Sequence, residues 1–584
     1  MKTMVLWIGL VLMSSYAMAA TPAEDLKKLI AEQWEFEMRE DPLFATQTGD
    51  HRFNDRLPSV TVADEVRREA AIRGFVKRLE AIDRTKLGAT DALNYDLLVR
   101  TLRNRIGEYE FKTYLMPITN PEGFHTDLPQ WPDRVPLDNT KDYENYCARL
   151  EACNTYITQY VGTMRAGLEA GYTLPKVVLE GWETAVDAHI VDDPTKSLLY
   201  APFEKYPDDV PAGDRARLTE RGKKAISGSV VPGYRALSEF MAKEYVPASR
   251  DAIGASSLPN GKAFYEHRVR YYTTLNLTPR QVHDTGLSEV KRIRAEMDQV
   301  IAKSGFKGTF PEFVAFLRTD KRFYADTPEQ LLKEVAYICK KMDGQLPKIF
   351  KTLPRMPYGV KPIPDFIAPK TTTAYYNQPA GDGTRAGMYY MNTYDLKSRP
   401  LYELEALSLH EAVPGHHLQI AIMQELPDVP NFRRYTFFTA YVEGWGLYSE
   451  RLGMETGFYE DPYSDFGRLT YEMWRATRLV VDTGMHYFGW TRQQAIDYMA
   501  ANGALSMHNV VSEVDRYISW PGQAVAYKTG ELKIRELRAW AEKELGVAFD
   551  VREFHDVVLW SGAVPLDMLE ANVRAWAAKV KKAK

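Results

Sequence analysis

The chain is expected to fold as a mainly α protein with one small β element, and three observations carry that expectation. Helix-start signals recur, each with Thr at the cap, often Pro at the first helical position and Glu or Gln at the third: Thr21-Pro22-Ala23-Glu24, Thr278-Pro279-Arg280-Gln281, Thr327-Pro328-Glu329-Gln330 and Thr491-Arg492-Gln493-Gln494. Behind the first, Leu26, Leu29, Ile30 and Trp34 follow helical spacing, and similar patterns cover most of the chain. One region departs: residues 371–376 and 387–394 are rich in Thr and Tyr and flank the loop Gln-Pro-Ala-Gly-Asp-Gly, so they read as a short β-hairpin.

Taken in order, the first twenty residues differ from the rest. Lys2, an apolar run over 4–13, Ser14, Ser15 and Ala17-Met18-Ala19 form the n-region, h-region and small-residue site of a secretory signal, with cleavage expected after Ala19 or Ala20. The apolar run is shorter than the roughly 20 residues that span a bilayer. No cysteine lies near the cleavage site, so an exported protein, periplasmic or secreted, without a lipid anchor is expected. The length of 584 residues calls for several domains or one multi-lobed body. Proline-rich stretches at 117–136 and 353–364 read as surface connections, the second as a lobe boundary, giving a signal peptide at 1–20, a helical lobe at 21–364 and a catalytic lobe at 365–584. Hydrophobic residues at 45% suffice for a packed interior, and a formal charge of -4 from 74 basic and 78 acidic residues excludes a dedicated nucleic-acid binder. Cys147, Cys153 and Cys339 imply no disulfide framework.

Three of the eleven histidines fall within eight residues, in His410-Glu411-Ala412-Val413-Pro414-Gly415-His416-His417. In the ordinary HExxH motif two histidines four apart share a helix face and one zinc, and the intervening Glu activates water. Here the separations are six and seven positions, about 9–10.5 Å along a regular helix. One zinc with nitrogen ligands at about 2.1 Å cannot bridge that distance. Pro414 and Gly415 resolve the conflict, because a bulge there would bring a later histidine back beside the first. Whether it is His416 or His417 is open, the other being left to support the site or touch substrate. A third ligand is expected from Glu443 in Tyr441-Val442-Glu443-Gly444-Trp445-Gly446, with Glu450 as the fallback or a supporting partner; the fourth position is then free for water.

These runs, HEAVPGHHLQ and EGWG, together with WRATRLVVDTGMH (474–486) and EVDRYISWPGQAVAY (513–527), resemble the bacterial family catalogued as domain of unknown function 885. That family is in turn similar to helical zinc peptidases of the gluzincin group, such as angiotensin-converting enzyme and the oligopeptidases. The resemblance implies two helical lobes around a deep cleft, and ligand and base roles for His410, Glu443 and Glu411; the Pro-Gly insertion departs from those peptidases.

Peptide hydrolysis also demands a donor for the developing oxyanion, and Tyr517, Arg516, Tyr527 and His508 are the candidates. Lys528 is a candidate for a substrate's terminal carboxylate, with a solvated surface position as the plainer expectation. Asp482 and His486, four apart, are expected to form a hydrogen-bonded structural pair in preference to a second metal site. The strand at 387–394 could take an extended peptide by strand addition. The leading expectation is thus a periplasmic zinc peptidase acting on short peptides, with Glu411 as general base. The alternatives are a zinc-bearing peptide-binding protein without hydrolysis, and a metal-dependent amidase on non-peptide substrates. No G-x-S-x-G run supports a serine mechanism.

Overall fold

Each of the four Thr-led signals opens a helix in the computed structural model, the Thr side chain accepting the N–H of the residue three positions on. The structure describes residues 21–120, 122–365, 368, 371–379, 383 and 385–582; the expected signal segment at 1–20 lies outside the described residues. The chain is mainly α, with one three-stranded sheet among the described residues. The elements that build the site are α1 (Pro22–Glu40), α2 (Ala89–Glu110), α3 (Gly261–Thr273), α4 (Pro279–Lys303), β1 (Tyr358–Pro362), β2 (Ala374–Asn377), β3 (Gly387–Met391), α5 (Leu404–Glu411), α6 (His416–Glu425), α7 (Thr439–Leu452), α8 (Pro462–His486), α9 (Met507–Ser519) and α10 (Ala526–Leu545).

The expected hairpin is present as β2 antiparallel to β3, with Ala374 opposite Met391. A third strand joins it from an unexpected source: the proline-rich stretch at 353–364 contains β1, which runs parallel to β3 from Tyr358 opposite Gly387. The sheet order is therefore β1-β3-β2. This corrects the strand-addition expectation, because β3 is the central strand and both its edges are already hydrogen-bonded, leaving no row of free backbone groups for a peptide. Along β3, Gly387, Tyr389 and Met391 alternate into the core.

Helix α8 is buried along nearly its whole length and packs lengthwise on α4, while α7 packs lengthwise on α10. The hydrophobic cores run across residue 364: Leu26 and Leu98 share one core with Leu409, Trp445 and Val573, and Tyr146 and Tyr234 share another with Met485 and Tyr517. Cys147, Cys153 and Cys339 are buried free thiols. No helix among the described residues is long and apolar enough to cross a membrane.

Candidate metal centre

Helix α5 delivers His410 in its last turn and stops at Glu411. The expected bulge is a complete interruption: the chain passes through Ala412 and a cis Val413–Pro414 bond to Gly415, and α6 begins anew at His416. A Cβ on Gly415 would lie 1.9 Å from the carbonyl oxygen of His410, so only glycine lets the chain fold back over the end of α5. The indole of Trp445 fixes the turn by donating to the carbonyl of Pro414 at 2.8 Å. The two imidazoles end with ring centres 4.6 Å apart.

Helix α7 supplies the other wall. Glu443, Gly446 and Glu450 occupy positions i, i+3 and i+7, one face of the helix, and the His410 ring lies across that face. Its Nε2 is 3.4 Å from Glu443 Oε2 and its Nδ1 is 2.8 Å from Glu450 Oε1. A Cβ at position 446 would approach the ring to 2.7 Å, which is why the residue between the two carboxylates is glycine. His416 Nε2 lies 3.6 Å from the same Glu443 oxygen, and the ligand atoms of His410, His416 and Glu443 all fall within 4.8 Å of one another. Tetrahedral coordination with bonds of about 2.0–2.1 Å places neighbouring ligand atoms about 3.3–3.4 Å apart, so the three residues fit one divalent ion. Glu450 fills the supporting role: it holds the far nitrogen of His410, fixing the ring's orientation, and Arg475 stands 3.8 Å from it.

Electrostatics favour a cation there. Burial alone would depress His410, but the hydrogen bonds of Glu443 and Glu450 and the charges of Glu450 and Glu411 outweigh it and raise the group to about 9. Burial would raise Glu443, yet the hydrogen bonds of His410 and His416 hold it far below the usual carboxylate range. Glu411, 8% exposed, follows His410 directly and has no hydrogen-bond or ion-pair partner among the described residues.

The ambiguity between the two later histidines is resolved against His417. Its Nε2 faces the carbonyl of Met356 at 3.0 Å and its Nδ1 the hydroxyl of Tyr376 at 2.8 Å. A carbonyl only accepts, so Nε2 carries the proton and Nδ1 accepts from the tyrosine. Burial, opposed by the Met356 bond, holds the ring at about 4 and hence neutral. His417 fastens α6 to the sheet and shares no ligand position with His410.

The supporting candidates separate as clearly. Tyr527 is the one that senses the metal ligands: burial first, then the negative charge of Glu443, raises its hydroxyl. Its ring lies under Arg478 at 4.5 Å, and its hydroxyl accepts from Gln523 Nε2 at 3.3 Å. Arg516 donates to Gln523 at 3.1 Å and to Glu513 at 3.0 Å, which holds Gln523 in place. Tyr517 is a buried hub, its oxygen accepting from Trp474 at 3.0 Å and Arg478 at 2.7 Å. His508 is exposed on the first turn of α9, two turns before Arg516, and joins none of these bonds; the motif that suggested it continues past the helix end, where the site lies. Lys528 is fully buried, with its Nζ 2.8 Å from Glu472, 2.8 Å from Glu531 and 3.1 Å from Glu289, so it is neither a surface residue nor free for a substrate carboxylate. Asp482 and His486 do not bond to each other: Asp482 takes the Tyr265 hydroxyl and the Gly522 N–H, and His486 takes the Ala255 N–H and faces the Tyr517 carbonyl. Both face the same side of the helix, but each is engaged by a different neighbour.

Sequence reasoning missed a cavity of about 650 Å³ that Glu443 lines from one side. Its remaining wall comes from α1, the short helix Pro42–Gln47, α2, α3, the segment 432–439 and the end of α9, including Trp34, Phe44, Arg105, Tyr271, Tyr272, Tyr435 and Trp520. The aromatic run Phe432 to Phe438 just before Glu443 was the one local signal of it.

A family model described as a bacterial protein of unknown function (DUF885) matches residues 42–573. A crystal structure of a protein from Colwellia psychrerythraea, described as a putative lipoprotein, is similar with a TM-score of 0.91 at 30% identity, covering 96% of this chain and 100% of that one. A second protein with that description, of unknown function and from Shewanella oneidensis, shares the fold with a TM-score of 0.72 at 19% identity, covering 95% of this chain and 99% of that one. No curated protein is similar enough in sequence to match.

Proposed function

The chain belongs to the DUF885 family of bacterial proteins, and from its metal centre we propose that it is an exported zinc-dependent peptidase that hydrolyses short peptides. One juxtaposition carries this reading: His410, His416 and Glu443 converge to the spacing of a shared ion, while the carboxylate of Glu411, the residue after His410, has no hydrogen-bond or ion-pair partner among the described residues. Export is supported by the signal-like first twenty residues and by the description of the Colwellia relative as a lipoprotein. The ligand set of two histidines and a glutamate on the next long helix is that of gluzincin-type peptidases, with the histidine spacing lengthened by two residues around the Pro-Gly turn.

Three protein ligands leave a coordination position for water or substrate, and a bound zinc would supply Lewis-acid polarisation there. The residues of the chain do the rest. Glu450 holds His410 by Nδ1, so Nε2 keeps its lone pair for the ligand position. Glu411 accepts a proton from the attacking water and passes it to the leaving amine nitrogen. Tyr527, steadied by Gln523 and Arg478, donates to the oxyanion that develops on the attacked carbonyl. A protein that only bound peptides would have no task for an unpartnered carboxylate at 411.

The test is metal content with a peptide library. One zinc per chain in wild type, lost in His410→Ala, His416→Ala and Glu443→Ala but kept in His417→Ala, together with peptide cleavage, supports the proposal. Stoichiometric zinc with no peptide cleaved, and Glu411→Gln indistinguishable from wild type, ends it.

A further inference from the structure

We propose that the aromatic cavity beside Glu443 receives a bulky apolar side chain of the peptide, so that the enzyme selects substrates with an aromatic or large aliphatic residue next to the bond it cleaves. This rests on the peptidase reading, and it is argued from what the lining leaves available. Trp34 stacks on Tyr435 at 5.9 Å, and Phe44 meets both edge-on at 6.0 and 6.1 Å. The polar tips of three of the rings are already committed to protein: Tyr435 donates to the carbonyl of Thr48, and Trp520 donates to the hydroxyl of Tyr272, which also accepts from Arg268. Trp34 and Tyr271 add mostly ring surface, and the buried Thr101 hydroxyl is the small polar exception in the wall. Ring surface is therefore what these residues offer a ligand.

The charged groups of the wall are likewise matched within the protein. Arg105 pairs with Glu37, which also accepts from Gln33 at 2.8 Å. A charged substrate side chain entering here would lose water and find no free counter-charge except Glu443, which the metal site claims. At about 650 Å³ the cavity is of the size class that holds drug-sized ligands, roughly 300–1,000 Å³, so an indole or phenyl group fits without displacing the wall. Glu443 belongs to both the cavity and the metal centre, so a side chain seated in it puts its own backbone beside the reacting carbonyl.

The experiment is an affinity measurement on the zinc-loaded protein carrying Glu411→Gln, read by the fluorescence of Trp34 and Trp520 or by calorimetry. The ligands are alanine pentapeptides in which one Phe, Leu or Asp is moved through every position. At one position Phe and Leu should bind at least roughly tenfold tighter than Ala, with Asp weakest. That preference should shrink in Phe437→Asp, a substitution at a residue 58% exposed on the cavity rim that spares the core, and vanish in Thr101→Trp, which fills the cavity; zinc content should stay unchanged in both. Equal affinity for all peptides, or a preference surviving both substitutions, overturns the proposal. Because affinity is read without turnover, selective binding by a protein whose wild-type form cleaves nothing would uphold the cavity and end the peptidase reading. Cleavage without selectivity would do the reverse.

Discussion

Two clusters of buried charge lie in the same helical body and are built on opposite principles. Around Lys528, three carboxylates surround one ammonium, and Arg292, Arg468 and Arg535 complete the balance from Glu472 outward. Every charge there has a partner, and the group closes on itself. Around His410, three carboxylates, Glu411, Glu443 and Glu450, face one guanidinium, Arg475, and two imidazoles. That cluster is short of positive charge, and on the proposed reading a divalent ion would make up the difference. A balanced buried network holds helices together, whereas an unbalanced one, costly on its own, marks where something must bind.

Substitutions can break or sharpen this contrast. The largest effect is expected from Glu411→Gln: kcat on a good peptide should fall about 10²–10⁴-fold, while zinc content and thermal midpoint stay at wild-type values. Lys528→Met should do the opposite. It removes the one ammonium that three buried carboxylates share, leaving them to Arg292, Arg468 and Arg535, and should cost about 3–5 kcal/mol of stability in urea unfolding, with zinc still bound by the folded fraction; a neutral outcome would show that the network is not the structural cluster described. Glu450→Gln is intermediate in kind, weakening zinc about 10–100-fold in a chelator competition because His410 loses its orienting carboxylate. His417→Ala should keep full zinc and lose about 1–3 kcal/mol, the cost of leaving the Tyr376 hydroxyl and Met356 carbonyl unpaired; zinc loss there would reverse the assignment of His416.

The smallest effect, per unit of pH, comes from histidines outside both clusters. Burial first, opposed by one backbone hydrogen bond each, holds His486 and His555 at about 3, against an ordinary 6.5. The unfolded chain therefore binds the extra protons as pH falls. Stability from these rings is fully present above pH 6.5 and is lost progressively toward pH 3, at up to about 1.4 kcal/mol per pH unit for each ring. Urea midpoints measured from pH 7 to 5 check the sign.

The mainly α character was legible because helix caps and apolar spacing are local, and Glu443 and Glu450 because seven residues on one helix share a face. The choice between His416 and His417 was not, since it depends on how the chain leaves α5 across four non-helical residues. Nor was β1, which lies in a proline-rich stretch and carries its one proline, Pro362, at its end. Lys528 reads as an ordinary helix-surface lysine until α4 and α8 close over it. The cavity was invisible for a simpler reason: Trp34 and Tyr435 stack across four hundred positions of sequence, and no pattern along the chain announces such a pairing.

The interrupted helix also bears on the order of assembly. In an uninterrupted helix both imidazoles are set by local hydrogen bonds, and a short peptide can already grip a metal. Here the turn that brings His416 to His410 is held by Trp445, some thirty residues later, whose indole donates to Pro414. On the proposed reading, ion capture would follow tertiary folding, and an exported chain would take its zinc after crossing the membrane.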